Sequence, residues 1–350
     1  MNIFVVNIIM TLLWGALLLG IQPTERKKRI FIGLTTVSWI LISGLRGLEV
    51  GADTLTYRNR FLRTADTSWR SLFENYYFVY VNEEGKDPGY SVFEKIVQIF
   101  TDNYQVYLVV VAVVFFAGMA WWIYRYSEEP CLSYLIFSSF LFGFYALTGI
   151  RQTLATVLVV FVGTKLIEER KFWRFLLIVA VAFTIHRSAI CFFPFYFLSR
   201  LPVNKRTVSL VAILTPIVFV FNEEAFRVLG YLVGYEYDEL ENRGAYGFTF
   251  MYIAVTAVMV FLLKHIRKKC PHYRMYYNAL FLGLLFLPLV FVNPTAMRVV
   301  QYYSLFLMLS VPEIVRAFDK KTSKVIYTLL LVILFSASNV YSYEYTFFWQ

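Results

Sequence analysis

Four arginines are candidates for chemistry because each lies at the predicted outer end of a hydrophobic segment: Arg46, Arg151, Arg187 and Arg298. Basic side chains in or near hydrocarbon are costly, and where they occur they are usually functional. The planar guanidinium group binds phosphate or carboxylate through paired hydrogen bonds. The set therefore predicts an anion site, for which a lipid-linked pyrophosphate is the obvious candidate. Anchoring of each arginine to lipid headgroups is the alternative interpretation.

Two carboxylates close to the first of these arginines are candidate general bases. Glu49 and Asp53 are four residues apart, so they would share one face of a helix. Gly47 and Gly51 favour a tight turn instead. An ion pair with a nearby arginine is the structural alternative to a catalytic role for either carboxylate.

His186 is the third candidate base and the favoured one. It is one of three histidines and the only one on the predicted outer side, next to Arg187. An imidazole titrates near neutrality without a large pKa shift and can accept a proton from a hydroxyl group. A purely structural role for His186 is the alternative.

The sequence favours neither a metal nor a cofactor. It contains no D-x-D motif, and EYDELE is its only run with four acidic residues in six. The three cysteines, Cys131, Cys191 and Cys270, are far apart and match no metal-ligand spacing. We expect arginines to take the place of a metal at the anion site.

Aromatic residues make up 19% of the chain, and several lie in a long polar segment between hydrophobic ones. An aromatic ring can stack on the C–H face of a sugar, and a tyrosine hydroxyl can bond to sugar hydroxyls. Tyr57, Tyr90 and the polar Gln152 are the predicted glycan contacts. Other aromatic residues of this segment with the same potential are Trp69, Tyr76, Tyr77 and Tyr80. An aromatic belt at the membrane interface is the alternative for most of them.

The composition defines the elements that must position these residues. Of 350 residues, 59% are hydrophobic and only 16% are charged, against roughly 25% charged in an average soluble chain. This excludes a soluble domain, a disordered chain and a coiled coil. We predict an all-α, polytopic membrane protein of about twelve transmembrane helices, with residues 1–350 forming a single transmembrane domain. The net charge of +10 is attributed mainly to short cytoplasmic turns rather than to binding of nucleic acid.

Two larger extracytoplasmic loops are predicted, at residues 47–103 and 223–247. The first contains the amphipathic pieces TSWRSLFENYYF and PGYSVFEKIVQIF, which are typical of interfacial helices. The second is acidic.

The positive-inside rule favours two helices rather than one within residues 170–204, meeting at HRSA and placing His186 at the outer turn.

Three stretches resemble the EpsG-type, Wzy-like family of bacterial polysaccharide polymerases. LRGLEVGADTLTYRNRF resembles the family pattern R-x-x-x-V-G-x-D-T-x-x-Y-x-x-x-F, with Ala52 where the family often has threonine. The second stretch has an Arg-Gln pair opening a hydrophobic segment, a basic turn, and a helix ending in F-x-x-H-x-S-A. The third, KDPGYSVFEKI, is similar to a D/E-P-G-Y/F element of the outer loop. Together they cover roughly residues 40–200.

The resemblance implies a metal-independent glycosyltransferase of the bacterial plasma membrane with its active site facing outward. Its substrates would be undecaprenyl-pyrophosphate-linked oligosaccharides, and its fold would be similar to C-type glycosyltransferases. A chain-length-regulating copolymerase and a flippase are the implied partners, beside membrane lipid. Arg151 and Arg298 would stabilise the pyrophosphate, supported by Arg46 and Arg187, while His186, Asp53 or Glu49 would act as base.

Three other functions share parts of this pattern. An O-antigen-type ligase would use the same arginines with a different acceptor. A flippase or exporter of lipid-linked oligosaccharide would suit the number of spans, although internal repeats and charges near the midplane are not visible. An O-acetyltransferase of surface glycan would use His186 as its base.

Overall fold

The computed structural model describes residues 2–20, 22–82, 84–233, 245–338 and 344–350, with the backbone alone at 232, 233 and 338. Within these residues the secondary structure is helical apart from one isolated antiparallel bridge between Arg46 and Phe347. The first helices are α1 (Ile3–Leu19), α2 (Glu25–Gly44), α3 (Thr54–Ala65), α4 (Trp69–Tyr80), α5 (Pro88–Gln98), α6 (Tyr104–Tyr126), α7 (Pro130–Leu141), α8 (Ile150–Glu168) and α9 (Phe172–Ile185). The later helices are α10 (Arg187–Leu198), α11 (Lys205–Val220), α12 (Asn222–Val233), α13 (Tyr246–Phe261), α14 (Leu263–Lys269), α15 (Tyr273–Phe291), α16 (Met297–Ser304), α17 (Leu307–Arg316) and α18 (Lys320–Ser338). The all-helical prediction is confirmed for the described part of the chain.

Three of these helices, α6, α8 and α15, are long and apolar enough to cross a membrane. Two bent pairs, α11 with α12 and α13 with α14, bring the number to five if each pair is one span. Other apolar helices are shorter; α9, for example, has 14 residues. The apolar helices indicate a membrane-embedded protein, while the number of about twelve spans and the similarity to C-type glycosyltransferases stay predictions.

The region 170–204 forms two helices, as predicted. Helix α9 ends at Ile185, His186 adopts an extended backbone (φ −156°, ψ 115°), and α10 begins at Arg187. Within the predicted loop 47–103, both amphipathic pieces are helical, as α4 and α5. A further helix, α3, was not predicted there. Helix α12 covers the beginning of the predicted loop 223–247, whereas residues 234–244, with most of its acidic side chains, lie outside the described residues.

One compact unit comprises Met1–Arg125, Ser138–Ala189 and Leu334–Gln350. Its core is aromatic: the fully buried ring of Trp39 lies 5.8 Å from that of Phe116 and 5.7 Å from that of Phe142, measured between centroids. The end of the chain pairs with the turn after α2, since the Gly47 N–H donates to the Thr346 carbonyl at 2.8 Å. The first family-like stretch is thereby tied to the last residues.

The other compact unit comprises Tyr126–Phe137 and Ile190–Ile333. Its core is centred on the fully buried Tyr303, whose ring stacks 5.4 Å from Phe192 and 5.9 Å from Phe286. The Tyr303 hydroxyl donates to the Cys191 carbonyl at 2.7 Å, which satisfies its polar end within the core.

Candidate functional site

The candidate site is built around Asp87, a carboxylate with no exposed surface. Its Oδ2 accepts a hydrogen bond from Arg151 Nη1 at 2.5 Å. Its Oδ1 accepts from the backbone N–H of Arg187 at 3.3 Å. The Nδ1 atom of His186 lies 3.7 Å from Oδ2. One buried carboxylate thus brings together two of the predicted arginines and the predicted base.

The local sequence explains why Asp87 reaches these partners. Asp87 is in the left-handed region (φ 52°, ψ 60°) and directly precedes Pro88, whose ring favours the first turn of α5. Gly89 follows, and a Cβ atom there would lie 2.1 Å from the Thr184 side chain. The absence of that Cβ lets the start of α5 approach the end of α9 closely, which places the carboxylate next to His186.

Arg151 is positioned by a second close approach. It is in the first turn of α8, after Gly149 in the left-handed region (φ 60°). Its guanidinium carbon lies 5.8 Å from the centre of the Tyr57 ring, and its Nε donates to the Tyr57 hydroxyl at 3.4 Å. The Arg151 side chain keeps 23% of its surface exposed, so it remains open to a ligand while bound to Asp87.

A second polar cluster lies against the same turn. The Arg60 Nη2 donates to the Asp87 carbonyl at 3.2 Å and to the Ser91 hydroxyl at 2.9 Å. Its Nε is 3.6 Å from Oε2 of Glu94, a carboxylate with no exposed surface. The Thr64 hydroxyl also donates to that oxygen, at 3.0 Å. These contacts fix the backbone that carries Asp87.

The two buried carboxylates respond differently to their surroundings. Burial alone would raise the pKa of Asp87, but His186, the Arg151 guanidinium and the Arg187 N–H together hold it below its usual range. Burial raises the pKa of Glu94 to about 7, against the opposing effect of Arg60. Near pH 7 Asp87 is ionised and Glu94 only partly so, and the three arginines Arg60, Arg151 and Arg187 outweigh this negative charge, which favours an anionic ligand.

The predicted sugar contacts Tyr57 and Tyr90 lie beside this site but are buried. Tyr90 has no exposed surface, and its hydroxyl accepts a hydrogen bond from Tyr107 at 2.9 Å. The Arg60 guanidinium carbon lies 4.9 Å from the centre of the Tyr90 ring. Tyr57 is 7% exposed and makes an edge contact with Tyr90. In this conformation both rings support the arginines, and their contact with a glycan stays a prediction.

Arg46 occupies a different place in the same unit. It is 2% exposed, and its Nη1 donates to the backbone carbonyl of Ser43. Its backbone pairs with Phe347 near the end of the chain. These contacts hold the turn after α2, and a role in binding pyrophosphate stays a prediction.

Glu49 and Asp53 lie in a turn rather than on a helix, so the shared helix face does not form. Gly51 has φ 91° there, and a Cβ atom on it would lie 2.0 Å from the Leu147 carbonyl oxygen. Both carboxylates are exposed, and neither forms an ion pair within the part of the chain that the structure describes. Their catalytic role stays a prediction.

Gln152 and Arg298 are the remaining residues of the predicted site. Gln152 is 1% exposed within α8, so its predicted contact with a glycan stays a prediction. Arg298 is half-buried at the start of α16 and belongs to the other compact unit. Its part in binding pyrophosphate also stays a prediction.

Sequence reasoning did not select Asp87, Arg60 or Glu94. The signal was present for Asp87, since an Asp-Pro-Gly run marks a strained turn that begins a helix. Nothing in the spacing of Arg60 and Glu94 predicts their contact, because they belong to different helices. Among the described residues, no group of three or more His, Cys, Asp or Glu side chains is arranged to hold a metal ion.

The fold and the site define a helical, membrane-embedded protein with a net positive, partly buried cluster. Comparison with known families shows that the chain belongs to the EpsG family, whose model matches residues 29–348. The predicted family is confirmed, and membership suggests a polysaccharide polymerase-like, glycosyltransferase-like role. No match was found among curated proteins or among solved structures.

Proposed function

We propose that this chain is a glycan polymerase that joins undecaprenyl-pyrophosphate-linked repeat units at the outer face of the bacterial plasma membrane. The product would be a capsular, exopolysaccharide or O-antigen chain. Membership of the EpsG family supports the polymerase class, and the apolar helices support a membrane-embedded enzyme. The observation that carries the reaction type is the cluster of Arg151, Arg187 and His186 around the buried Asp87.

The reaction is a displacement at the anomeric carbon of the growing chain. The acceptor hydroxyl oxygen of the next lipid-linked unit forms a new C–O bond to that carbon. The bond between the carbon and the pyrophosphate oxygen breaks, and its electron pair leaves with undecaprenyl pyrophosphate. Negative charge therefore grows on the leaving group, where preset cations stabilise the transition state most. Arg151 and Arg187 supply those cations, with planar donor groups that match phosphate oxygens.

The acceptor proton passes to His186. The ionised Asp87 lies nearest to Nδ1, which favours the tautomer with the proton on that nitrogen and leaves Nε2 as the acceptor. Because His186 is 3% exposed, the acceptor hydroxyl reaches it only after a local opening of the cluster. Asp87 thus acts as a positioning residue for both the base and Arg151.

The proposal is tested with the full-length protein in lipid nanodiscs, supplied with lipid-linked repeat units from the native host. Products are sized on a gel, and the wild type should form a ladder of increasing length. Arg151→Ala or Arg187→Ala should slow ladder formation by about 10²- to 10³-fold, because one charge-stabilising donor is lost. Arg70→Ala is the matched control, since Arg70 is an exposed arginine of α4 paired only with Glu74 among the described residues.

Three outcomes would contradict the proposal. Full activity of both arginine variants would remove the site. Transport of unchanged substrate into proteoliposomes, with no ladder, would favour an exporter. A single transfer of glycan to another acceptor, without elongation, would favour a ligase.

A further inference from the structure

An aromatic row runs along one face of α4: Trp69, Phe73, Tyr76 and Tyr80, continued by Phe183 of α9. The first four are spaced i, i+4, i+7 and i+11, so they fall on one side of the helix. Successive ring centroids within α4 are 6.3, 6.5 and 6.2 Å apart, and the first two pairs of planes are within 26° of parallel. Tyr80 stacks on Phe183 at 5.8 Å and 23°.

The row ends at the candidate site. Arg187 Nη2 donates to the Val79 carbonyl at 3.5 Å, next to Tyr80 in the chain. The charges of Arg187 and Asp87 both act on the Tyr80 hydroxyl. Phe183 precedes His186 by three residues at the end of α9. The row of rings therefore leads from the beginning of α4 to the arginine cluster.

The row is not part of the core. Helix α4 buries Leu72 and Val79, which are 4% and 1% exposed, whereas Phe73 in the row is 60% exposed and Trp69 is 39% exposed. Three of the four α4 rings, Trp69, Phe73 and Tyr80, are exposed, and a row of large exposed rings marks a binding surface more often than a packing surface. Holding the rings in line also costs side-chain entropy. Because the free protein already bears this cost, a ligand that stacks on the rings loses less free energy on binding.

The chemistry of the row fits a carbohydrate chain. Successive ring faces can stack on the C–H faces of successive sugars, and the hydroxyls of Tyr76 and Tyr80 can bond to sugar hydroxyls. A membrane surface needs no ring alignment and no arginine at one end. The same helix carries exposed rings outside the row, Tyr77 (60%) and Phe78 (45%), and Phe78 lies on the opposite side of the helix, where it suits the lipid interface.

We propose that the aromatic row is a binding track for the glycan chain as it approaches or leaves the arginine cluster. This inference rests on the proposed polymerase function and names a binding surface for its polymer. The track would hold several sugars at once, so its contribution should grow with the length of the glycan.

The test measures binding without turnover. The full-length protein in nanodiscs is presented with the cell-surface polysaccharide of the native host, cut by partial acid hydrolysis into short and long fragments. Phe73→Ala or Tyr76→Ala should weaken binding of long fragments by about 3- to 10-fold, equivalent to the loss of one aromatic contact. Short fragments should be affected less. Phe73→Tyr should retain binding, and Phe78→Ala is the matched control outside the row.

The results also separate the track from a lipid contact. Wild-type protein that binds no fragment would overturn the track. So would Phe73→Ala protein that binds long fragments as tightly as Phe78→Ala protein, because the Phe73 ring would then serve as a lipid contact. If the wild type forms a ladder and the row variants bind long fragments as tightly as the wild type, the track alone is refuted. Fragment binding through the row without any ladder would refute the polymerase function and leave the track standing.

Discussion

Asp87 and Glu94 are both fully buried, yet their surroundings have opposite effects on their charge. Against the effect of burial, His186, the Arg151 guanidinium and the Arg187 N–H together lower the pKa of Asp87. Its contribution to stability is therefore present above its ordinary pKa and is lost as the pH falls through the lowered value. Burial dominates at Glu94 and raises its pKa to about 7. The folded chain binds a proton there more tightly than the unfolded chain does.

Glu94→Gln should consequently stabilise the protein at high pH. Between the unfolded pKa, 4.5, and the folded value, about 7, the wild type loses stability as the pH rises, because the unfolded chain ionises Glu94 more readily than the fold does. The difference in free energy of unfolding should reach roughly 3 kcal/mol above pH 7, from about 1.4 kcal/mol per pKa unit. Thermal unfolding of both proteins in nanodiscs from pH 4.5 to pH 8 measures this difference.

The matched control is Glu74→Gln, because Glu74 belongs to an exposed pair with Arg70. Its melting temperature should differ from that of the wild type by an amount independent of pH, since exposed pairs contribute little. A pH-independent difference for Glu94→Gln as well would show that Glu94 is ionised throughout this range.

At the level of elements, the site depends on how closely α5 approaches α9. Gly89 is the contact point, since a Cβ there would overlap the Thr184 side chain and come within 2.9 Å of its backbone carbon. Gly89→Ala should separate the helices, destabilise the fold by about 1–3 kcal/mol and move Asp87 away from His186. Polymerase activity should fall further than the melting temperature alone explains, as the ladder assay and thermal unfolding together would measure.

Gly33→Ala is the control for this substitution. Gly33 lies in α2, and no neighbouring atom lies within 4 Å of the position that a Cβ would take there. Alanine should therefore stabilise the helix by about 0.5–1 kcal/mol without affecting activity. Equal activities of Gly89→Ala and wild-type protein would show that the close approach does not position the site.

The two amphipathic helices in residues 47–103 were predictable because their periodicity is local. The additional helix α3 was not predicted, although its first residues lie in the family-like stretch. Its place depends on Gly51, whose positive φ lets the turn lie against the Leu147 carbonyl. A contact over that separation leaves no periodic signal in the sequence, because periodicity records only which side of an element is buried.

For the whole molecule, the orientation in the membrane is the property that the proposed function requires. The site lies in residues 47–103, at the start of α8 and at the α9–α10 junction, so these should face outward. Single cysteines replacing Arg70 in α4 and Lys268 in α14 should be labelled by a membrane-impermeant maleimide from opposite sides of the membrane. The native cysteines are buried and should give little background.

In intact cells, Arg70→Cys should be labelled and Lys268→Cys should be labelled only after the membrane is permeabilised. The unsubstituted protein serves as the control for background. The reverse pattern would place the arginine cluster on the cytoplasmic side and contradict a reaction at the outer face.

Composition, periodicity and local motifs were sufficient to predict the membrane class, the helical fold, the family and the candidates Arg151, Arg187 and His186. They were sufficient because hydrocarbon penalises charge wherever it occurs in the chain. Only the folded chain shows that Asp87 contacts these candidates, although in the sequence it lies 64 residues from Arg151 and 100 residues from Arg187. Only the folded chain shows, too, that Glu49 and Asp53 are exposed in a turn and that the aromatic row leads to the cluster. The contacts of Asp87 and the turn that carries Glu49 and Asp53 depend on close approaches at Gly89 and Gly51, where the absence of a Cβ atom determines which side chains can meet.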